Sequence, residues 1–379
     1  MPDFPSSLVG LEPPGFPRTP FHTLPLSGES HQMPLRALIL AALLALGVVA
    51  RPALAANPPE GLEARLDAIL ARGAPGVSVI VYRDGVRLYR MDRGRIAPDA
   101  RLPVASASKW MAAALVMTVV DEGRLSLDEP IGRRLPRFQG PAGEITLRQL
   151  LSFTAGQGGL LGMSDLLQES DLTLAESADR IAGRAQVDPP GRVFKYGGPS
   201  LQVAGALVEQ ATGQTWADLF EARIARPLGM TSTYWGHPLR PDLDPAGVRN
   251  PNLQGGAYTT AEDYGRFLGM VAGGGVLDGH RVLSEAAVAE LEKVQTAGLP
   301  MAYRPPGLAD VAAYDLGNWC EVAGPGGACL LASSPGAFGA YPWIDRRTGL
   351  YGLFFLKHQL PLVVEPIRQA RELILSGAT

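Results

Sequence analysis

Ser106-Ala107-Ser108-Lys109 sets a hydroxyl and an amine three residues apart, directly before the apolar run Trp110–Val120. Residues at i and i+3 of a helix face the same way, so Lys109 is expected beside the Ser106 hydroxyl, placed to take its proton. The chemistry that follows is acyl transfer to the serine oxygen and then to water. Lysine serves as a base only when neutral, and burial on a helix that is apolar on every face disfavours the ammonium and lowers its pKa toward the working range. At a helix start, Ser106 also turns its own N–H outward toward a developing oxyanion. The bland alternative is a capping serine beside a surface lysine, which needs a polar face that the flanking residues do not offer.

A second group of residues, Pro190-Gly191-Arg192-Val193-Phe194-Lys195-Tyr196-Gly197-Gly198, leads into an amphipathic stretch over 200–212. A tyrosine near a cationic lysine can carry a proton to or from a reacting group. Tyr196 can equally be a loop aromatic packed on the core, and the residues by themselves leave both open. Other chemistries fall away by elimination. There is no Gly-x-Ser-x-Gly elbow, His-Glu-x-x-His, P-loop or Gly-x-Gly-x-x-Gly, and beyond residue 55 the histidines are His237, His280 and His358. The residue set calls for no metal and no cofactor.

Composition sets the frame. With 34 basic against 37 acidic residues and a net charge of −3 there is no electrostatic case for nucleic-acid binding. At 46% hydrophobic and 19% charged residues the chain is globular in character, with apolar material for a large core. The first 55 residues read as a leader: Met33-Pro34-Leu35-Arg36, the apolar run Ala37–Ala50, then Ala53-Leu54-Ala55. A basic start, a short apolar stretch and a small-x-small cleavage site describe a signal peptide over 33–55. Residues 1–32 are then a mis-assigned start, and a buried or amphipathic helix over 34–50 is the alternative. Export to the periplasm or beyond follows, with no stable membrane anchor. Cys320 and Cys329 straddle Gly324-Pro325-Gly326-Gly327, so a hairpin there would bring them together as a disulfide in an oxidising compartment; a reduced buried pair is the alternative.

The elements that must position these residues come from both ends of the chain. A helix is expected over Leu62–Arg72, and Asp84-Gly85 between Val77–Tyr82 and Val86–Tyr89 is a hairpin signal. Helical periodicity runs from Ser106 to about Pro300, broken by glycine and proline. Strands are then expected over Gly317–Glu321, Cys329–Ser333, Phe338–Ile344 and Leu350–Phe355, with a closing helix over Val364–Leu375. Strands at both termini around a helical middle imply an α/β (α+β) fold: an antiparallel sheet built from 56–104 and 310–379, with a helical lobe, 105–309, inserted between its halves. A ligand is expected in the cleft between the lobes.

Ser106-Ala107-Ser108-Lys109 through Asp121-Glu122-Gly123-Arg124-Leu125-Ser126-Leu127-Asp128-Glu129-Pro130 resembles the serine β-lactamase and penicillin-binding-protein-like superfamily. The nearest branch holds class C β-lactamases, D-Ala-D-Ala carboxypeptidases and family VIII carboxylesterases. The segments 145–156, 227–230 and 255–263 are similar to recurrent segments of that branch, and the likeness spans essentially all of 56–379. It implies a β-lactamase-like sandwich and an acyl-enzyme route, with Ser106 as nucleophile, Lys109 as base partner and Tyr196 as second proton carrier.

Two departures bear on substrate. The family's Tyr-x-Asn motif stands here as Tyr196-Gly197-Gly198, so the substrate-holding amide is missing at Gly198. Its Lys-Thr-Gly or His-Thr-Gly strand motif best matches Ser334-Pro335-Gly336, which lacks the cation that would bind a substrate carboxylate. The Ala337 N–H can still complete the oxyanion hole with that of Ser106. Ser334 is either a hydrogen-bond donor to substrate or a plain strand-start residue. Phe153 stands where the family often has His, which is expected to affect packing only. These features imply a secreted serine hydrolase of small neutral esters, possessing a small-molecule ester or amide substrate. The alternatives are a β-lactamase or D-alanyl-D-alanine carboxypeptidase and, in another class, a non-catalytic sensor of the same fold.

Overall fold

The computed structural model describes residues 56–157, 169, 171–184, 188–311 and 313–377. The leader expected over 1–55 lies outside the described residues. Seven antiparallel strands form the main sheet: β1 (Gly76–Arg83), β2 (Val86–Gly94), β3 (Ala313–Tyr314), β4 (Trp319–Ala323), β5 (Cys329–Ser333), β6 (Tyr341–Asp345) and β7 (Leu350–Phe355). Their order across the sheet is β3-β4-β5-β6-β7-β1-β2. The N-terminal hairpin thus docks on the last strand of the chain, with Val79 opposite Phe354 and Val81 opposite Gly352. Asp84 and Gly85 turn that hairpin at φ 51° and 79°, the pair of positive angles that a two-residue turn of matching twist requires.

Both faces of the sheet are covered, which is why β1 is buried from Gly76 to Tyr82. Neighbouring residues on β7 show the two layers. Tyr351 meets Gly269 of the helix Ala261–Ala272, where a Cβ would lie 2.9 Å from the phenol oxygen. Leu350, pointing the other way, shares a cleft with Ile374 of the C-terminal helix Leu360–Ser376. The helix Ser108–Asp121 packs against the helices Ser200–Thr212 and Glu285–Leu291, and every residue from Ser108 to Val119 is buried. A helix apolar on all sides belongs in a core, and this one sits there.

Several boundaries differ from the expected ones. The strand expected from Phe338 begins at Tyr341, because Ala337–Gly339 form a tight turn in which Gly339 N–H donates to Gly336 O at 2.8 Å. The strand expected from Gly317 begins at Trp319, since Gly317 takes φ 81° against the Lys109 carbonyl. The span 105–309 also contains short strands, among them Ala257–Thr259.

Cys320 and Cys329 form the expected disulfide, with Cα atoms 5.5 Å apart. They are not register partners: Cys320 pairs with Ala332 and Ala323 with Cys329, and two bulges between these pairs bring the sulfurs together. Closing so short a loop restricts the unfolded chain by about 2.5–3 kcal/mol. Replacing both cysteines by serine is therefore expected to lower stability by about that amount in chemical denaturation at fixed pH, and mass spectrometry of the unreduced protein is expected to find no free thiol.

Candidate active site

Ser106 lies in a single 3-10 turn, Ala105–Ala107, and the α-helix begins two residues later at Ser108. The residue before the serine, Ala105, is held at φ 45°, in the left-handed region that costs a non-glycine residue strain. The turn is fixed from three directions. Tyr264 donates its hydroxyl to Ala107 O at 2.6 Å, and the Ser108 hydroxyl accepts from Ala257 N–H at 3.0 Å. Ser334 gives its hydroxyl to Ser106 O at 3.3 Å. Gly336 presses in as well: a Cβ there would stand 2.0 Å from the Val104 carbonyl oxygen and 3.3 Å from Ala107 N. Only glycine allows the segment that follows β5 to approach the nucleophile turn this closely.

Lys109 Nζ lies 2.9 Å from Ser106 Oγ and donates to the Gln254 carbonyl at 2.7 Å. It also sits over the face of the Tyr196 ring, 4.7 Å from the centroid. Lys109 is 1% exposed. Burial without a carboxylate partner lowers its pKa from 10.5 to about 7. A neutral amine has two N–H bonds and one lone pair. With one N–H on the Gln254 carbonyl and the other toward the aromatic face, the lone pair is left for the Ser106 O–H.

Tyr196 follows the two-residue strand Phe194–Lys195, which pairs in parallel with Met301–Tyr303, and its N–H donates to Tyr303 O at 3.1 Å. The ring is enclosed by aromatics: stacked on Trp319 at 5.1 Å, edge-on to Phe153 at 5.2 Å and to Tyr314 at 5.8 Å. Burial raises the phenol pKa, and the side chains of Ser106 and Trp319 offset part of that rise. The group is accordingly a neutral phenol at neutral pH, next to the serine hydroxyl. Lys195 is paired with Asp188. Phe153, at φ 53°, packs against Tyr196 and Tyr314.

Among the described residues, no carbonyl accepts the N–H of Ser106 or of Ala337. Ala337 O is used, accepting from Leu360 N–H at 3.0 Å, and Gly336 N–H is used on Ala340 O at 2.8 Å. Gly197 and Gly198 run at φ 84° and 87°, so the position of the missing amide is a stretch of backbone that favours glycine. Ser106, Lys109 and Tyr196 are thus brought together, with Ser334, Gly336 and Ala337 alongside. Three participants escaped sequence reasoning: the Gln254 carbonyl, Tyr264 and Trp319. The run Gly255–Asp263 carried the only available signal for the first two, and nothing in it identified a carbonyl as the partner of the lysine.

The beta-lactamase family model matches residues 61–374. Esterase EstB from Burkholderia gladioli is 35% identical over 198 residues, covering 45% of this chain and 50% of the esterase. Penicillin-binding protein 4 from Amycolatopsis lactamdurans is 32% identical over 256 residues, covering 59% of this chain and 66% of that protein. The matches therefore span between half and two thirds of these two relatives. A solved structure described as a putative beta-lactamase from Bacteroides dorei DSM 17855 is similar at TM-score 0.70 and 31% identity, covering 81% of this chain and 97% of the other. A family VIII carboxylesterase structure, at 18% identity and TM-score 0.64, shares the fold over 84% of this chain and 98% of its own.

Proposed function

Because the chain belongs to the beta-lactamase family, we propose that it is a serine hydrolase of small neutral esters working through an acyl-enzyme on Ser106. The observation that carries this is Lys109, fully buried, brought by burial to a pKa of about 7 and 2.9 Å from Ser106 Oγ. In the proposed route Lys109 takes the serine proton as Oγ attacks the ester carbonyl. The oxyanion forms between the N–H groups of Ser106 and Ala337. As the tetrahedral adduct collapses, the leaving oxygen takes the phenol proton of Tyr196, which recovers it from the Lys109 ammonium. That ammonium is stabilised meanwhile by the ring face 4.7 Å away. Water then repeats the sequence on the acyl-enzyme.

Preference for neutral substrates follows from what flanks the serine. Binding a carboxylate in a partly desolvated cleft needs a charge-assisted donor. Ser334-Pro335-Gly336 supplies none, the Ser334 hydroxyl is turned to Ser106 O, and Lys195 is paired with Asp188. A penicillin-recognising enzyme is the second reading, supported by the likeness to penicillin-binding protein 4. Export is part of the proposal: the disulfide suits an oxidising compartment, and among the described residues no helix is long and apolar enough to cross a membrane. So is the division into a sheet lobe (56–104 with 310–379) and a helical lobe (105–309).

The test is a fluorophosphonate label located by mass spectrometry, together with kcat/KM for p-nitrophenyl esters, nitrocefin and D-Ala-D-Ala peptides. An adduct on Ser106 and ester turnover well above the others is the expected result. Turnover of β-lactams or peptides without ester hydrolysis would establish the second reading. Absence of any adduct would point to a sensor. Within this mechanism Tyr196→Phe is expected to slow turnover by roughly 10²–10⁴-fold while leaving the aromatic packing in place. An unchanged rate would make Tyr196 a packing residue.

A further inference from the structure

In the proposed route the Tyr196 phenol gives up its proton where an anion is poorly solvated. The residue is 3% exposed, with Trp319, Phe153 and Tyr314 packed round its ring. Between losing that proton to the leaving oxygen and regaining one from Lys109, the phenol oxygen carries negative charge inside an aromatic enclosure. A charge so placed is stabilised by donors fixed in advance, because water does not supply them there. Lys109 Nζ lies over the ring face, 4.7 Å from the centroid. Ser106 Oγ is bonded to the substrate carbon at that stage and has no proton to offer.

Trp319 stands where such a donor is needed. Its indole stacks on the Tyr196 ring, with centroids 5.1 Å apart and planes 26° from parallel. Among the described residues its buried N–H makes no aligned hydrogen bond, either to the neutral phenol or to any other group. All five tryptophans leave the indole N–H unpartnered, so that fact by itself singles out none of them. Trp319 is distinguished by its neighbour: its side chain and that of Ser106 are the two that favour the Tyr196 phenolate over the phenol. The indole is also held firmly. Tyr314 and Phe194 meet it edge-on at 4.8 and 5.6 Å, and across the sheet Trp319 faces Tyr314 on β3 and Ser333 on β5. A donor that is fixed in place, and unused in the resting enzyme, gains its partner only as charge develops, so it lowers the barrier rather than the ground state.

We propose that Trp319 is a positioning residue for the acid–base tyrosine: its indole N–H donates to the Tyr196 oxygen as that oxygen loses its proton to the leaving group. In this step the carbon–oxygen bond of the tetrahedral adduct breaks and its electron pair goes to the leaving oxygen, which takes the phenol proton. The phenolate accepts from the indole N–H, which keeps its proton throughout, and the Lys109 ammonium then returns a proton to the phenolate. This inference rests on the ester-hydrolase reading and adds a residue to its acid. It also ties the effect to the leaving group. A p-nitrophenolate departs with little help from a proton, whereas an ethoxide must receive one, so an ethyl ester draws far more on Tyr196.

The test compares kcat/KM for ethyl butanoate and p-nitrophenyl butanoate, which share an acyl group and differ in the leaving oxygen. Trp319→Phe keeps a ring in the stack and removes the N–H. Trp319→benzothienylalanine keeps the indole shape with sulfur in place of the N–H, and decides the matter where phenylalanine disturbs packing. In both, kcat/KM for ethyl butanoate is expected to fall about tenfold or more beyond any loss on p-nitrophenyl butanoate, as for a lost hydrogen bond to a charged group. In a Tyr196→Phe background the same changes at 319 are expected to leave the ratio of the two esters within about twofold, since no phenol oxygen remains to receive the N–H. Unchanged rates, an equal loss on both esters, or a full further loss in the Tyr196→Phe background would overturn the proposal. A wild type that hydrolyses neither ester and takes no label on Ser106 would instead bring down the ester-hydrolase reading beneath it.

Discussion

Ser106→Ala is expected to abolish fluorophosphonate labelling and to lower kcat/KM for p-nitrophenyl esters by about 10⁴-fold or more, with the fold intact. Without the hydroxyl there is no covalent intermediate, and removing the nucleophile from a unit of mutually dependent groups costs nearly all that the unit provides. Structural damage should be slight. The Ser106 side chain caps no helix and meets only Lys109 and Tyr196 of its own site, so its loss costs at most about 2 kcal/mol. Thermal unfolding by circular dichroism separates the two effects: an unchanged transition with lost turnover is expected. Full activity in this variant would remove Ser106 from the mechanism.

Lys109→Met is expected to lower kcat/KM by roughly 10³–10⁴-fold and yet to raise thermal stability at pH 7. The side chain is fully buried, and the fall in its pKa from 10.5 to about 7 corresponds to a cost of roughly 5 kcal/mol for keeping the ammonium in the folded protein. Methionine removes that cost and leaves one carbonyl, that of Gln254, without its donor, a loss of about 1–3 kcal/mol. The pH dependence has a defined sign. Between pH 7 and 10.5 the unfolded chain binds the proton that the folded one has released, so wild-type stability rises with pH across that window. The advantage of Lys109→Met is therefore largest at and below pH 7 and shrinks toward pH 10. Activity follows the same titration: wild-type kcat/KM should climb through about pH 7 as Lys109 becomes neutral. A rate independent of pH between 5 and 9, or a variant that is less stable at pH 6 than at pH 9 relative to wild type, would contradict Lys109 as the base.

The contrast between these two residues and Gln254 shows what distance along the chain conceals. Ser106 and Lys109 are three apart, and backbone geometry alone brings them to 2.9 Å. The carbonyl that holds the same lysine comes from a residue 145 positions away. Side-chain identity carries no information about such a partner, since every residue has a carbonyl.

The sequence by itself determined what depends on neighbours in the chain. Asp84-Gly85 dictated the hairpin, the apolar run after Lys109 dictated a core helix, and alternating strand segments at both ends dictated a sheet closed between the termini. The helix over 200–212 was legible to the residue, because its periodicity and the glycine after it are local signals. Tertiary structure alone decided the rest. Gly336 abuts Val104, Trp319 stacks on Tyr196, and Ser334 spends its hydroxyl on Ser106 O. These are contacts between elements brought together by core packing, and each is set by the register and curvature of the sheet rather than by any spacing in the sequence. The strand starts at Tyr341 and not at Phe338 for the same reason: the turn before it is shaped by its approach to the nucleophile, which local β-propensity does not register.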